Sequence, residues 1–236
     1  MIYVRGDTHG EEFQFTEENM PGESAWTRED ILIVTGDFGF VFQGEDRYLS
    51  ERNKLDALAR KPYRILFADG NHEGFPFLSA YPQVELYGAP VRKIRENIFW
   101  LQRGYVYEIG GNSVFVMGGA HSMDKAFRVK YFQVCGEKIW FEEELPCPEE
   151  YHRAVESLNR RGKKVDYIIT HTAPRTIIPR IIHCAPDMTD AELTGFLDWV
   201  YHEVEFRKWY FGHFHVDEQI NDRMTACYTQ VRILGT

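Results

Sequence analysis

Residues 2–10 read IYVRGDTHG, which is a short apolar run followed by glycine and then by polar residues. A similar order recurs four more times along the chain: ILIVTGDFG at 31–39, ILFADGNHE at 65–73, YIITHT at 167–172, where threonine takes the place of glycine, and WYFGHFH at 209–215. Each apolar run has the length and composition of a β-strand. Ligands of open α/β sheets gather at the carboxyl ends of the strands. We therefore expect these polar residues, although distant in sequence, to converge on one site.

Helical patterns lie between these strands. Charged and apolar residues alternate at three-to-four spacing over 46–60, 148–161 and 189–204, and Thr189 followed by Glu192 predicts a capped start for the last helix. Residues 97–117 instead predict antiparallel hairpins around glycines. Alternating strands and helices are typical of an α/β domain. Because no fixed-period repeat or linker interrupts the pattern, we expect residues 1–236 to form a single domain.

The composition excludes several classes of protein. Among 236 residues, 44% are hydrophobic and 27% are charged, which excludes disordered and fibrous chains. The net charge of −9 disfavours binding to nucleic acid or anionic lipid by bulk charge. The first residues show no secretory pattern, and no apolar run has membrane-spanning length, so we expect a cytoplasmic protein. The four cysteines form no Cys-x-x-Cys pair, and we expect reduced, mostly buried thiols.

The residues at the strand ends have the chemistry of metal ligands. Carboxylate, imidazole and amide oxygen together suit borderline divalent ions such as manganese, iron, zinc or cobalt. Asp-x-His and His-x-His predict two ligands on one side of an extended segment, and the glycines beside them permit close approach. Seven ligands exceed what one tetrahedral ion needs, so the sequence predicts two ions that share one carboxylate. The seven are Asp7, His9, Asp37, Asn71, His171, His213 and His215.

In this order, the five segments resemble the calcineurin-like metallophosphoesterase family, and the resemblance extends from Asp7 to His215. It implies a four-layer α/β/β/α sandwich with mixed sheets. It assigns Asp7, His9 and His215 to the first ion and Asn71, His171 and His213 to the second, with Asp37 bridging both. Manganese is the ion we expect first, with iron, zinc, cobalt or nickel as alternatives. The implied reaction is hydrolysis of a phosphate monoester or diester by a metal-bridging hydroxide.

Further residues near these segments have predicted supporting roles. His72 is the expected proton donor to the leaving group, and Glu73 is expected to orient it by accepting a hydrogen bond from its ring. His121 could contact the phosphate or a water molecule next to the metal ligands, and Arg128 or Arg175 could neutralise phosphate charge. Glu142–Glu144 is expected on a solvated face or at the edge of a lid. Aromatic residues near the segments predict either a wall for the substrate or core packing.

Three functions stay open at this stage. Phe38-Gly39-Phe40 follows Asp37 where the Ser/Thr protein phosphatases of the family have Asp-Arg-Gly, which argues against that branch. We expect a phosphoesterase acting on a phosphorylated small molecule or nucleotide, in an oligomeric state that the sequence leaves open. The alternatives are a nuclease or cyclic-nucleotide phosphodiesterase, which the acidic charge disfavours, and a catalytically silent scaffold, which the complete ligand set disfavours.

Overall fold

The computed structural model describes residues 1–183 and 188–236, so the prediction for the thiol of Cys184 falls outside the described residues. The strands within these ranges are β1 (Ile2–Arg5), β2 (Ile31–Val34), β3 (Arg64–Phe67), β4 (Gln83–Leu86), β5 (Ala89–Lys93), β6 (Ile98–Leu101), β7 (Tyr105–Ile109), β8 (Asn112–Met117), β9 (Tyr167–Thr170), β10 (Lys208–Phe211), β11 (Glu218–Asn221), β12 (Met224–Ala226) and β13 (Arg232–Ile233).

The α-helices within the same ranges are α1 (Leu49–Ala59), α2 (Phe75–Ala80), α3 (Lys125–Cys135), α4 (Pro148–Arg160), α5 (Ile178–Ile182) and α6 (Ala191–Glu203). Short 3₁₀ turns lie at Glu12–Phe15, Glu23–Ala25 and Glu142–Glu144. No helix of the described chain is both long enough and apolar enough to cross a membrane.

Two mixed sheets form the centre of the fold. The first has the strand order β13-β1-β2-β3-β6-β5-β4 and is parallel from β1 to β6, with antiparallel strands at both edges. The second has the order β11-β12-β10-β9-β8-β7 and is parallel from β12 to β8. The central strands are apolar on both faces, which is how parallel strands covered on both sides read in sequence.

Side-chain alternation along the strands divides the core into three layers of contacts. In the first sheet, Ile33 faces the second sheet, whereas Leu32 faces Leu55 of α1. In the second sheet, Ile169 faces the first sheet, whereas Ile168 lies on the side of α4 and α6. Helices therefore cover the outer face of each sheet, which confirms the predicted α/β/β/α sandwich.

Several local predictions need correction. Helix α6 has Asp190 as its N-cap residue rather than Thr189, and α2 and α3 lie where no helix was predicted. The segment 97–117 holds one hairpin, β7–β8, while β6 joins the first sheet and runs parallel to β3. Cys227 is buried as expected, but Cys135 and Cys147 are exposed because α3 and the start of α4 lie at the surface.

Candidate metal centre

The ligand-bearing loops meet where the parallel strands of both sheets end. Asp7 follows β1 and Asp37 follows β2, and the two loops are joined by backbone hydrogen bonds. The amides of Thr8 and His9 both donate to the carbonyl oxygen of Asp37, at 3.0 and 2.9 Å. Across the sheets, the amide of His213 donates to both carboxylate oxygens of Asp7 at 3.1 Å. Backbone amides therefore join the Asp7 loop to the Asp37 loop and orient the carboxylate of Asp7.

One cluster consists of Asp7, His9 and His215, whose donor atoms lie within 4.8 Å of one another. His215 Nε2 lies 3.1 Å from Asp7 Oδ2 and 3.0 Å from His9 Nε2. His9 Nε2 lies 4.0 Å from the same Asp7 oxygen. Two imidazole nitrogens and a carboxylate oxygen that face a common point are a suitable donor set for a divalent cation.

A second cluster surrounds His171, which is fully buried. Its Nε2 atom lies 3.1 Å from Asn71 Oδ1 and 3.4 Å from Asp37 Oδ1. The ring of His213 stands 5.1 Å from the ring of His171, measured between centroids. Imidazole, amide oxygen and carboxylate are again present together, so this cluster has the same chemistry as the first.

Asp37 lies between the two clusters. One carboxylate oxygen, Oδ1, faces His171, and the other, Oδ2, lies 3.8 Å from Nδ1 of His9. Its Oδ1 also accepts a hydrogen bond of 2.8 Å from the backbone amide of His72. The structure thus brings all seven predicted ligands together and places Asp37 at the boundary.

The electrostatics of the centre call for positive charge. Burial lowers the pKa of His171, but the carboxylates of Asp37 and Asp7 outweigh burial and raise that pKa to about 9. Burial raises the pKa of Asp37, yet His171, His72 and His9 hold it below its usual range. Burial lowers the pKa of His213 to about 4, with the charge of His171 adding to the effect. The carboxylates of Asp37 and Asp7 favour positive charge beside them, so the donor set suits a divalent cation.

Four of the seven candidate ligands have left-handed backbone: φ is +47° at His9, +48° at Asp37, +69° at His213 and +52° at His215. Such values are uncommon outside glycine and cluster at functional sites. They also correct one prediction. Asp-x-His and His-x-His do not lie on extended segments, because β1 ends at Arg5 and β10 ends at Phe211, before the ligands begin. Tight turns, rather than strand alternation, bring the paired ligands together.

Glycines beside the ligands permit close approach, as predicted. A Cβ atom on Gly36, whose φ is +115°, would lie 2.1 Å from Nδ1 of His171. A Cβ atom on Gly70 would lie 2.0 Å from Oδ1 of Asp37. Neither position can accept a side chain without displacing a candidate ligand.

The sequence profile of the calcineurin-like phosphoesterases matches residues 1–217, which include every candidate ligand. The chain belongs to this family. Its members are phosphoesterases that use divalent metals. Comparison with curated protein sequences gives no match.

This chain is similar to two solved structures. One is a putative 5'-nucleotidase from Staphylococcus aureus, in complex with alpha-ketoglutarate, with 14% identity and a TM-score of 0.46. That alignment covers 96% of this chain but 48% of the nucleotidase, so the chain spans about half of that protein's length. The other is the phosphopantetheinyl hydrolase from Mycobacterium tuberculosis, with 17% identity, a TM-score of 0.42, and coverage of 96% and 87%.

His72 and Arg128 lie together at the edge of the candidate metal centre. His72 Nε2 is 4.0 Å from Asp37 Oδ2, and Nη2 of Arg128 is 2.8 Å from His72 Nδ1 and 3.1 Å from its Nε2. Burial lowers the pKa of His72 and Arg128 adds to that, while Asp37 opposes both. Arg175, the other predicted phosphate contact, lies elsewhere, with its Nε 3.7 Å from Asp198 of α6.

Glu73 does not orient His72, so that predicted contact is wrong. The Glu73 carboxylate is fully buried and accepts from the backbone amides of Phe38 at 2.7 Å and Gly39 at 3.3 Å. Burial, and then the charge of Asp37, raise the pKa of Glu73 well above its usual range. Glu73 therefore holds the loop that follows Asp37. The ring nitrogens of His72 lie beside Arg128 instead, at 2.8 and 3.1 Å from its Nη2.

His121 and Glu144 form a contact that the sequence did not indicate. His121 is buried, and its Nδ1 lies 3.3 Å from Oε1 of Glu144. Glu142 and Glu143 are exposed as expected, but Glu144 is buried. The prediction of a solvated run is wrong for Glu144 because the 3₁₀ turn at Glu142–Glu144 directs its third side chain inward. A run of three glutamates gives no indication in the sequence of which side chain is buried.

Two clefts border the centre. One, of about 320 Å³, is lined by His9 and His72 together with Phe42, Ser50 and Lys54. The other, of about 200 Å³, is lined by four of the candidate ligands and by three further residues, namely Asp37, Asn71, His213 and His215 with His72, Met123 and Asp124. Of the two expectations for the nearby aromatic residues, core packing describes Phe38 and Phe40, which are fully buried, and Phe38 stacks on Phe67 at 4.3 Å. Phe42 is half-buried and lines the larger cleft.

Proposed function

We propose that this protein is a two-metal phosphoesterase that hydrolyses a phosphate monoester or diester of a small molecule. The observation that carries the proposal is the convergence of seven donor side chains in two clusters that meet at Asp37. A carboxylate shared between two groups of three candidate ligands suits a pair of divalent ions that act together on one phosphoryl group. The proposal includes residues 1–236 as one domain, since the layer of side chains between the two sheets is common to both.

In this proposal, Asp7, His9 and His215 hold the first ion, and Asn71, His171 and His213 hold the second. Asp37 would ligate both, because its Oδ2 faces His9 of the first cluster and its Oδ1 faces His171 of the second. Manganese is the ion expected first, and iron, zinc, cobalt and nickel suit the same oxygen and nitrogen donors. When bound, such ions activate water and polarise phosphoryl oxygens.

His72 is the proposed proton donor to the leaving-group oxygen. Arg128 opposes a charged His72 ring in the free protein, because the guanidinium nitrogen lies 2.8 Å from the imidazole. A phosphate dianion bound beside both groups would offset the charge of Arg128 and favour the imidazolium. Arg128 would then pair with a phosphoryl oxygen, while His72 gives its proton to the departing alkoxide.

The clefts support a small substrate. A volume of about 320 Å³ suits a nucleoside or a group of similar size. Phe42 offers an aromatic face, and Lys54 is the one lysine or arginine among the described residues that line this cleft. Its Nζ donates to the carbonyl oxygen of Gly10 at 2.7 Å and retains two further N–H groups for an anionic substituent. A cyclic-nucleotide phosphodiesterase fits the same cleft, whereas a nuclease is disfavoured by the net charge of −9.

The experiment combines elemental analysis with two substrates. We expect about two divalent ions per chain after manganese loading, and hydrolysis of para-nitrophenyl phosphate or of its bis-ester identifies monoester or diester preference. Asp37→Asn is the inactive variant, and His152→Ala is the control, because His152 is an exposed histidine of α4. A loaded protein with two ions and no activity on either ester would favour the scaffold. A protein that binds one ion or none while retaining activity would refute the two-metal mechanism.

A further inference from the structure

We infer that Glu144 and Ser122 act as positioning residues that fix which end of the Asn71 amide faces the metal centre. The inference rests on the proposed function, because it concerns how Asn71 is presented to the second ion. An asparagine ligates a cation through Oδ1 and cannot do so through its NH₂ group. The orientation of this amide therefore decides whether the second cluster is complete.

The three side chains form a continuous hydrogen-bonded line. Nδ2 of Asn71 lies 3.2 Å from Oγ of Ser122, and Oγ of Ser122 lies 2.5 Å from Oε2 of Glu144. At the other end, Oδ1 of Asn71 faces His171 Nε2 at 3.1 Å. Asn71, Ser122 and Glu144 are 7%, 0% and 1% exposed, so water does not compete freely for these groups.

The Glu144 carboxylate can only accept hydrogen bonds, and this fixes the direction of the bonds between Glu144, Ser122 and Asn71. Both carboxylate oxygens of Glu144 accept from Ser122, because the backbone amide of Ser122 also reaches Oε1 at 3.2 Å. The Ser122 hydroxyl proton is thus committed to Glu144, and the Ser122 oxygen presents a lone pair to Asn71. Only the NH₂ group can meet a lone pair, so Oδ1 must turn toward the centre. A flipped amide would place two acceptors together in a buried site, which is costly.

Glu144 is itself fixed by contacts that lead back to the same strand end. The guanidinium of Arg103 donates to the carbonyl oxygen of Glu143 at 2.8 Å and forms a buried ion pair with Asp69, whose Oδ2 accepts from Nε at 2.7 Å. Asp69 precedes Asn71 by two residues. The amide of Gly119 donates to the carbonyl oxygen of Asp69 at 2.9 Å, which ties the loop of Ser122 to the loop of Asn71. These contacts therefore hold the loops of Asn71, Ser122 and Glu144 in fixed positions relative to one another.

The test measures binding of the second ion to purified protein by titration calorimetry, with elemental analysis of the loaded protein. We expect Ser122→Ala and Glu144→Gln to lower the affinity for the second ion by about 10 to 100-fold and to leave the affinity for the first ion unchanged. Glu143→Gln is the matched control, since Glu143 is the exposed neighbour of Glu144. Thermal unfolding of each metal-free variant checks that the fold is retained.

Repeating the Ser122→Ala measurement in an Asn71→Asp protein distinguishes orientation of the Asn71 amide from general support of the fold. Asn71→Asp presents a carboxylate oxygen whichever way the group turns, so Ser122→Ala should cost less than about 3-fold in that background. Equal losses in both backgrounds, or equal effects of Glu143→Gln and Glu144→Gln, would overturn the inference alone. A wild-type protein that never takes up a second ion would overturn the proposed two-metal function, and this inference with it.

Discussion

Replacing Glu73 tests how the loop that carries Asp37 is held. The carboxylate accepts from the amides of Phe38 and Gly39, and the first of these contacts is completely buried. Leaving a buried amide unpaired costs about 1–3 kcal/mol, and the half-buried second amide costs less. We therefore expect Glu73→Ala to lower the free energy of unfolding by about 2–4 kcal/mol. That is a large share of the 5–15 kcal/mol that is usual for domains.

Glu73→Gln separates the hydrogen bonds from the charge. Glutamine keeps the shape and one acceptor, and it mimics the protonated carboxyl. Because the pKa of Glu73 is raised in the folded protein, its contribution to stability is complete below its ordinary pKa and is lost as pH rises. Wild type and Glu73→Gln should thus agree within about 1 kcal/mol near pH 4, and the variant should gain on wild type at higher pH.

The assay is urea unfolding of metal-free protein from pH 4 to 8. A loss below about 1 kcal/mol for Glu73→Ala would show that the two amides do not depend on this side chain. If Glu73→Gln instead lost stability relative to wild type as pH rises, the ionised form of Glu73 would be the one that stabilises the fold. If Glu73 instead oriented His72, stability would stay constant and only the pH profile of hydrolysis would change.

The other predictions concern ions and substrate. Asp37→Asn should abolish turnover and weaken both ions, as measured by elemental analysis; loss of a single ion would contradict a shared carboxylate. His72→Ala should slow esters of poor leaving groups by about 10² to 10⁴-fold, spare activated aryl esters and leave metal content unchanged. A uniform loss accompanied by loss of metal would instead make His72 a ligand. Lys54→Met should raise KM several-fold for esters with an anionic leaving group, with little change for para-nitrophenyl phosphate or in kcat. Lys130→Met, an exposed site on α3, is its control, and equal changes for both substrates would contradict the proposed cleft.

The strands and the candidate ligands could be predicted because each carries a local signal. Ile31–Val34 and Tyr167–Thr170 are apolar throughout, and polar residues follow them at once. The parallel topology then brings the strand ends together without any knowledge of side-chain contacts. The order of layers followed from the resemblance of five short segments to one family.

The supporting contacts could not be predicted, because they join residues that are far apart in sequence. Nothing local distinguishes Glu144 from the exposed Glu143, and only the fold brings it to Ser122. Arg128 reaches His72 from α3, a helix whose amphipathic pattern is weak and whose exposed face includes Phe127. The partner of Glu73 was misassigned because the nearest polar group in sequence is not the nearest in space.

The left-handed residues of the centre bear on why these side chains are present at all. At His9, Asp37, His213 and His215, glycine would adopt the observed backbone without the roughly 1–2 kcal/mol that a side chain costs there. Selection for a stable chain alone would favour glycine at each position. All four are candidate metal ligands, so the proposed metal centre would account for side chains where the backbone alone favours glycine. His215→Gly would remove this backbone cost together with the stacking of His215 on Tyr228 at 4.6 Å, so the melting temperature of the metal-free protein should change little while a ligand, and with it activity, is lost.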